Sequence, residues 1–160
     1  MKLGLLLVPA TAAVLFVGAA LASPGHKRGE GHGDTAYGQP GTSKQPARIV
    51  NIVMREDNGM MEFVPNHIEI RTGEQVKFVI RNNGELDHEF VLATLDENLK
   101  HAEEMRKNPD MEHDDPNARR LSAKKNGEIV WKFTKAGTFD FSCLIPGHRE
   151  AGMFGTVVVK

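Results

Sequence analysis

Past residue 48 the chain alternates apolar and polar side chains with period two. Ile68 and Ile70 alternate with Glu69 and Arg71, and Val76, Phe78 and Ile80 alternate with Lys77, Val79 and Arg81. Each run reads as a strand with one buried and one wetted face. Residues 48–54 are rich in β-branched side chains, and His88 stands at the start of a further strand. Ile129, Trp131 and Phe133 then alternate with Val130 and Lys132, and Phe139 and Phe141 with Asp140 and Ser142; a last strand closes the chain at 154–160. Asp57-Asn58-Gly59, Thr72-Gly73-Glu74, Asn82-Asn83-Gly84 and Ala136-Gly137 punctuate these runs as turns. Short strands between turn signals predict an antiparallel β-sandwich whose core holds Phe78, Trp131, Phe133, Phe139 and Phe141.

The period changes once. Thr94 followed by Glu97 fits a capping box, Leu95, Leu99 and Ala102 recur at helical spacing, and Pro109 stops the run. The spacing predicts a helix over 95–107, within an insertion spanning about 95–126 that returns through a polar stretch.

The first 47 residues have neither period. Lys2, an apolar run over 3–21 and Ala20-Leu21-Ala22 form a secretory leader with cleavage expected after Ala22. An uncleaved membrane anchor is the alternative. Residues 23–47 are rich in Gly, Pro, Ser and Thr and are expected to form a flexible tail that carries His26 and His32. The ordered domain is then 48–160. The formal charge of −1 becomes −2 when Lys2 leaves with the leader. Nothing in that balance supplies the cationic excess that nucleic acid requires.

One cysteine, Cys143, occurs in 160 residues. A lone thiol in an oxidising compartment needs a reason, and metal ligation is one. Cys143, His148 and Met153 fall in one loop between two predicted strands, spaced C-x4-H-x4-M, and His88 lies far upstream at the start of a strand. Two imidazoles, one thiolate and a weak axial thioether make a blue-copper donor set, suited to both oxidation states of the ion. Pro146 and Gly147 help the loop turn back. A Cys–His nucleophilic pair is the other reading, but no oxyanion-hole or orienting motif accompanies it. Met153 is also open to a packing role, since methionine commonly fills gaps.

With those residues in view the sequence resembles the cupredoxins, the family of plastocyanin, azurin and rusticyanin, over about 48–160. The segments 60–65, His88 and 143–158 are similar to periplasmic cupredoxins associated with copper tolerance. The resemblance implies a Greek-key β-sandwich carrying one type 1 copper per chain, with His88, Cys143 and His148 equatorial and Met153 axial. It also makes the Asp87 carbonyl an alternative or additional axial neighbour. Two features depart from the family pattern. Glu89 stands where many members place an Asn or Asp that ties the first histidine's strand to the cysteine loop. The helical insertion is absent from the simplest members.

Inside that insertion His101 and Met105 lie one helical turn apart, and Met111 and His113 follow beside carboxylates. These four form a candidate auxiliary copper site, weighed against a solvated helix and a polar turn. The expected protein is a periplasmic, monomeric, non-enzymatic copper binder, free of membrane once its leader is removed. It would cycle Cu(II)/Cu(I) for electron transfer with a redox partner such as a cytochrome or oxidase, or for copper homeostasis and tolerance. The alternative is a dedicated copper buffer or carrier with no electron-transfer partner.

Overall fold

The computed structural model describes residues 34–109, 111 and 115–160. The expected leader, its cleavage point, and His26 and His32 of the tail lie outside the described residues. Ten strands and one helix follow in order: β1 (Gln39–Pro40), β2 (Arg48–Asp57), β3 (Met60–Val64), β4 (His67–Ile70), β5 (Gln75–Asn82), β6 (His88–Ala93), α1 (Leu95–Lys107), β7 (Ala118–Leu121), β8 (Asn126–Lys132), β9 (Gly137–Ser142) and β10 (Phe154–Val159). Among the described residues they build two five-stranded sheets, ordered β1-β8-β5-β2-β3 and β4-β10-β9-β6-β7.

The alternating residues meet between the sheets. Ile68, Ile70, Val76, Phe78, Ile80, Trp131, Phe133, Phe139 and Phe141 are all buried in one core that also takes in Cys143 and Met153. Phe90 stacks on Phe141 with centroids 5.1 Å apart, and Phe63 meets Phe141 edge-on at 5.2 Å. The sandwich is not wholly antiparallel: β2 pairs with β5, and β10 with β4, in parallel. Alternation sets which face of a strand is buried, whereas its neighbour depends on how the chain crosses between sheets.

The stretch expected to be a flexible tail is ordered in its described part. Tyr37 stacks on Trp131 at 5.5 Å, the Trp131 indole donates to the Tyr37 carbonyl at 2.8 Å, and β1 pairs with β8. Gly38 makes this approach feasible. Its φ is +112°, and a Cβ there would fall 2.1 Å from the Lys132 carbonyl oxygen. Further along, the buried amide of Gln75 is held by Thr42 and Gln45. Two aromatic rings and a few directed hydrogen bonds offset the ordering of a composition that otherwise reads as disordered.

Helix α1 has the expected bounds and its capping box, with Thr94 as N-cap and Glu97 reciprocating. Its buried stripe is a different one. Leu95 and Leu99 are 48 % and 46 % exposed, while Asn98 and Met105 are buried. Asn98 donates to the Val91 carbonyl at 3.1 Å and to Asp140 Oδ1 at 2.7 Å, so a polar residue docks the helix on β6 and β9. The polar return of the insertion also forms β7, which pairs with β6 through His88–Leu121 and Glu89–Arg120. No described helix is long and apolar enough to cross a membrane.

Candidate metal centre

Two parts of the second sheet supply the candidate ligands. His88 is the first residue of β6 and is wholly buried, pointing between the sheets as Phe90 and Leu92 do. Cys143, His148 and Met153 lie on the loop that joins β9 to β10. That loop is closed by its own backbone. The Cys143 amide donates to the Met153 carbonyl at 3.0 Å, Met153 to His148 at 3.1 Å, and His148 to Ile145 at 3.0 Å.

The donor atoms converge. Nδ1 of His88 lies 3.2 Å from Nδ1 of His148, which lies 3.3 Å from Cys143 Sγ. One ligand atom from each of the three residues falls within 4.8 Å of the others, the one such grouping of His, Cys, Asp and Glu found among the described residues. Met153 is buried at the end of the same loop. Two imidazole nitrogens and one sulfur around a common point suit a copper ion by softness and by number.

Burial sets the proton state of Cys143 and His148. Burial pushes the Cys143 thiol up to about 12, so the metal-free side chain is protonated and ligation displaces its proton. Burial, then the neighbouring His88, lowers the pKa of His148 and keeps that ring neutral at physiological pH. The Glu89 amide donates to Cys143 Sγ at 3.3 Å, so the strand-to-loop tie that the side chain put in doubt is made by backbone. The Glu89 carboxylate itself is buried, and burial raises its pKa against the pull of Arg120 at 4.0 Å and of the Leu144 amide.

Glu56 was not among the residues read from the sequence. Its Oε1 lies 2.7 Å from Nε2 of His88. Nothing in an exposed-looking Arg-Glu-Asp segment at the end of a strand marks it, because the contact crosses from one sheet to the other.

Of the four residues of the candidate auxiliary site, His101, Met105 and Met111 lie among the described residues. Met105 is buried in a small apolar cluster with Val91, Ala118 and Leu144, against which Ala102 and Met111 pack. His101 is half-buried beside a shallow cavity lined by Tyr37, Glu97, Asn98, Asp115 and Asn117. His113 lies outside the described residues.

Residues 50–160 match the family model described as copper binding proteins, plastocyanin/azurin family. The chain belongs to that family.

Among its relatives is the copper-resistant cuproprotein CopI of Rubrivivax gelatinosus, 50 % identical over 155 residues, covering 92 % of each chain. The copper-resistant cuproprotein CopI of Pseudomonas aeruginosa is 34 % identical over 176 residues, covering 92 % of this chain and 91 % of its own. Auracyanin B shares the fold, with a TM-score of 0.62 at 24 % identity over 74 % of this chain and 93 % of its own. As a plastocyanin/azurin-family domain, the protein is a two-sheet sandwich in which α1 and β7 follow β6.

Proposed function

We propose that the chain is a periplasmic copper protein of the tolerance type, holding one type 1 ion on His88, Cys143 and His148 with Met153 in the axial position. The observation that carries this is the convergence of one sulfur and two imidazole nitrogens within 4.8 Å on a closed loop and a buried strand. The likeness to copper-resistant cuproproteins at 50 % and 34 % identity supports the physiological role. The secretory pattern of the first 22 residues supports export.

When bound, copper supplies a one-electron Cu(II)/Cu(I) couple. The chain's part is to hold three ligands in an arrangement that suits both states, so little has to move on reduction. The proposed role, holding and cycling copper, is a non-enzymatic one.

A second use of the same site, electron transfer, is favoured by the surroundings of His148. This ligand is half-buried where His88 and Cys143 are fully buried, and Pro146 and Gly147 on the loop and Phe154 at the start of β10 are exposed. An apolar rim around one ligand edge suits brief docking of a cytochrome or an oxidase.

Visible absorption and EPR of the protein with one equivalent of Cu(II), beside Cys143→Ser, test the assignment. An intense thiolate-to-copper band, lost in the variant, is expected. A folded wild type without that band overturns it. Copper sensitivity on deletion of the gene is expected for the tolerance role, and unchanged growth in copper refutes that role.

A further inference from the structure

His88 can ligate through only one nitrogen, and the fold has already committed the other. Nδ1 faces His148, while Nε2 faces the carboxylate of Glu56 at 2.7 Å. An ionised carboxylate only accepts hydrogen bonds, so the proton sits on Nε2 and the Nδ1 lone pair is turned toward Cys143 and His148.

Glu56 is itself fixed. Its Oε2 accepts the Glu85 amide at 3.0 Å, and its Oε1 accepts the Leu86 amide at 3.1 Å. Gly84 packs against the same group, where a Cβ would lie 2.3, 2.4 and 2.6 Å from the three carboxylate atoms. A larger residue at this position would have to displace the carboxylate. A carboxylate that already accepts two backbone amides thus stands one ring away from the ligand point. It comes from β2, in the sheet that carries none of the proposed ligands.

We propose that Glu56 is the positioning residue of the copper centre: it sets the tautomer and ring plane of His88 and, through that ring, biases the bound ion toward Cu(II). The proposal rests on His88 being a ligand. A carboxylate that accepts the outer N–H of a ligating imidazole makes the ring a stronger donor and restricts its rotation. Stronger donation and nearby negative charge both favour the more highly charged state of the ion.

The test is made on copper-loaded protein. Glu56→Gln keeps the side chain's shape and removes its charge, whereas Glu56→Asp keeps the charge on a shorter side chain. In Glu56→Gln the thiolate-to-copper band is expected to persist, and the Cu(I)/Cu(II) balance to move toward Cu(I) by about tenfold, which for one electron is about 59 mV upward. Glu56→Asp is expected to recover part of that shift. An unchanged potential in Glu56→Gln, with the band intact, overturns the role of Glu56 while leaving His88 as a ligand. Absence of the band in the wild type removes the ligand assignment, and the proposal with it. A second measurement needs no variant: long-range proton–nitrogen NMR correlation of the Cu(I) protein. It should show the His88 proton on Nε2 and exchanging far more slowly than that of exposed His67. A proton on Nδ1, or exchange as fast as His67, overturns the proposal.

Discussion

The backbone amide of Glu89 donates to the sulfur of Cys143 across 3.3 Å, at a point where both residues are closed to solvent. It joins the strand of one proposed ligand to the loop of three others. The metal-free thiol beside it is protonated and inaccessible, with its pKa pushed by burial to about 12. Thiol reagents attack the thiolate, so metal-free folded protein at pH 8 should be modified at Cys143 on the order of a hundredfold more slowly than in denaturant. Equal rates in the two conditions would place the sulfur at the surface.

Tyr37 is the single tyrosine of the chain, so its ionisation can be followed by absorbance without interference. Burial, then the charge of Glu97, raises its pKa above 10. The folded state therefore keeps a proton that the unfolded state gives up. Stability from this group is complete below pH 10 and declines as pH rises through the folded value. Phenolate absorbance should appear above pH 10 in folded protein and near 10 in denaturant. Tyr37→Phe should lessen the alkaline loss of stability, and an identical pH profile would argue that the ring is not docked.

Met105 separates packing from ligation in the insertion. The side chain is wholly buried with Val91, Ala118 and Leu144. Met105→Ala should cost about 2–5 kcal/mol of stability in a denaturant titration, the range for deleting a buried Met. Copper stoichiometry should stay at one tight equivalent. Loss of a second tight equivalent in this variant would instead make Met105 a ligand of the auxiliary site.

Met153 is buried on the ligand loop, with its amide and carbonyl both used to close it. Met153→Gln places a harder oxygen donor at the axial position while the backbone bonds remain. The thiolate-to-copper band should persist and the reduction potential should fall, because oxygen favours Cu(II) over Cu(I). An unchanged potential would leave Met153 a packing role alone.

Much of the architecture was legible because it depends on local pattern. Alternation at Ile68–Ile70, Val76–Ile80 and Ile129–Phe133 marks faces that the two sheets bury, and the Thr94–Glu97 box places the start of α1 where it lies. The C-x4-H-x4-M loop was legible because three candidate ligands fall within eleven residues of sequence. What escaped the sequence was settled by partners far along the chain. Tyr37 is ordered by Trp131, Asn98 is buried because Val91 and Asp140 receive its amide, and Glu56 meets His88 across the sandwich. The turn of α1 facing the sheet followed Asn98 and Met105 rather than Leu95 and Leu99, because satisfied hydrogen bonds made a polar side chain the better docking group.

The backbone bonds that close the β9–β10 loop make it a removable part. Three are drawn from within the loop itself, between Cys143 and Met153, Met153 and His148, and His148 and Ile145, and one tie reaches outside it, from the Met61 amide to the Ala151 carbonyl. The strands at its base are held by their own ladder, from Phe154–Ser142 to Val159–Gly137. Residues added or removed between Cys143 and Met153 therefore change the spacing of the metal donors without altering strand register. A sandwich built this way can trade one copper-binding loop for another and keep its core, so the character of the metal centre can evolve faster than the fold that carries it.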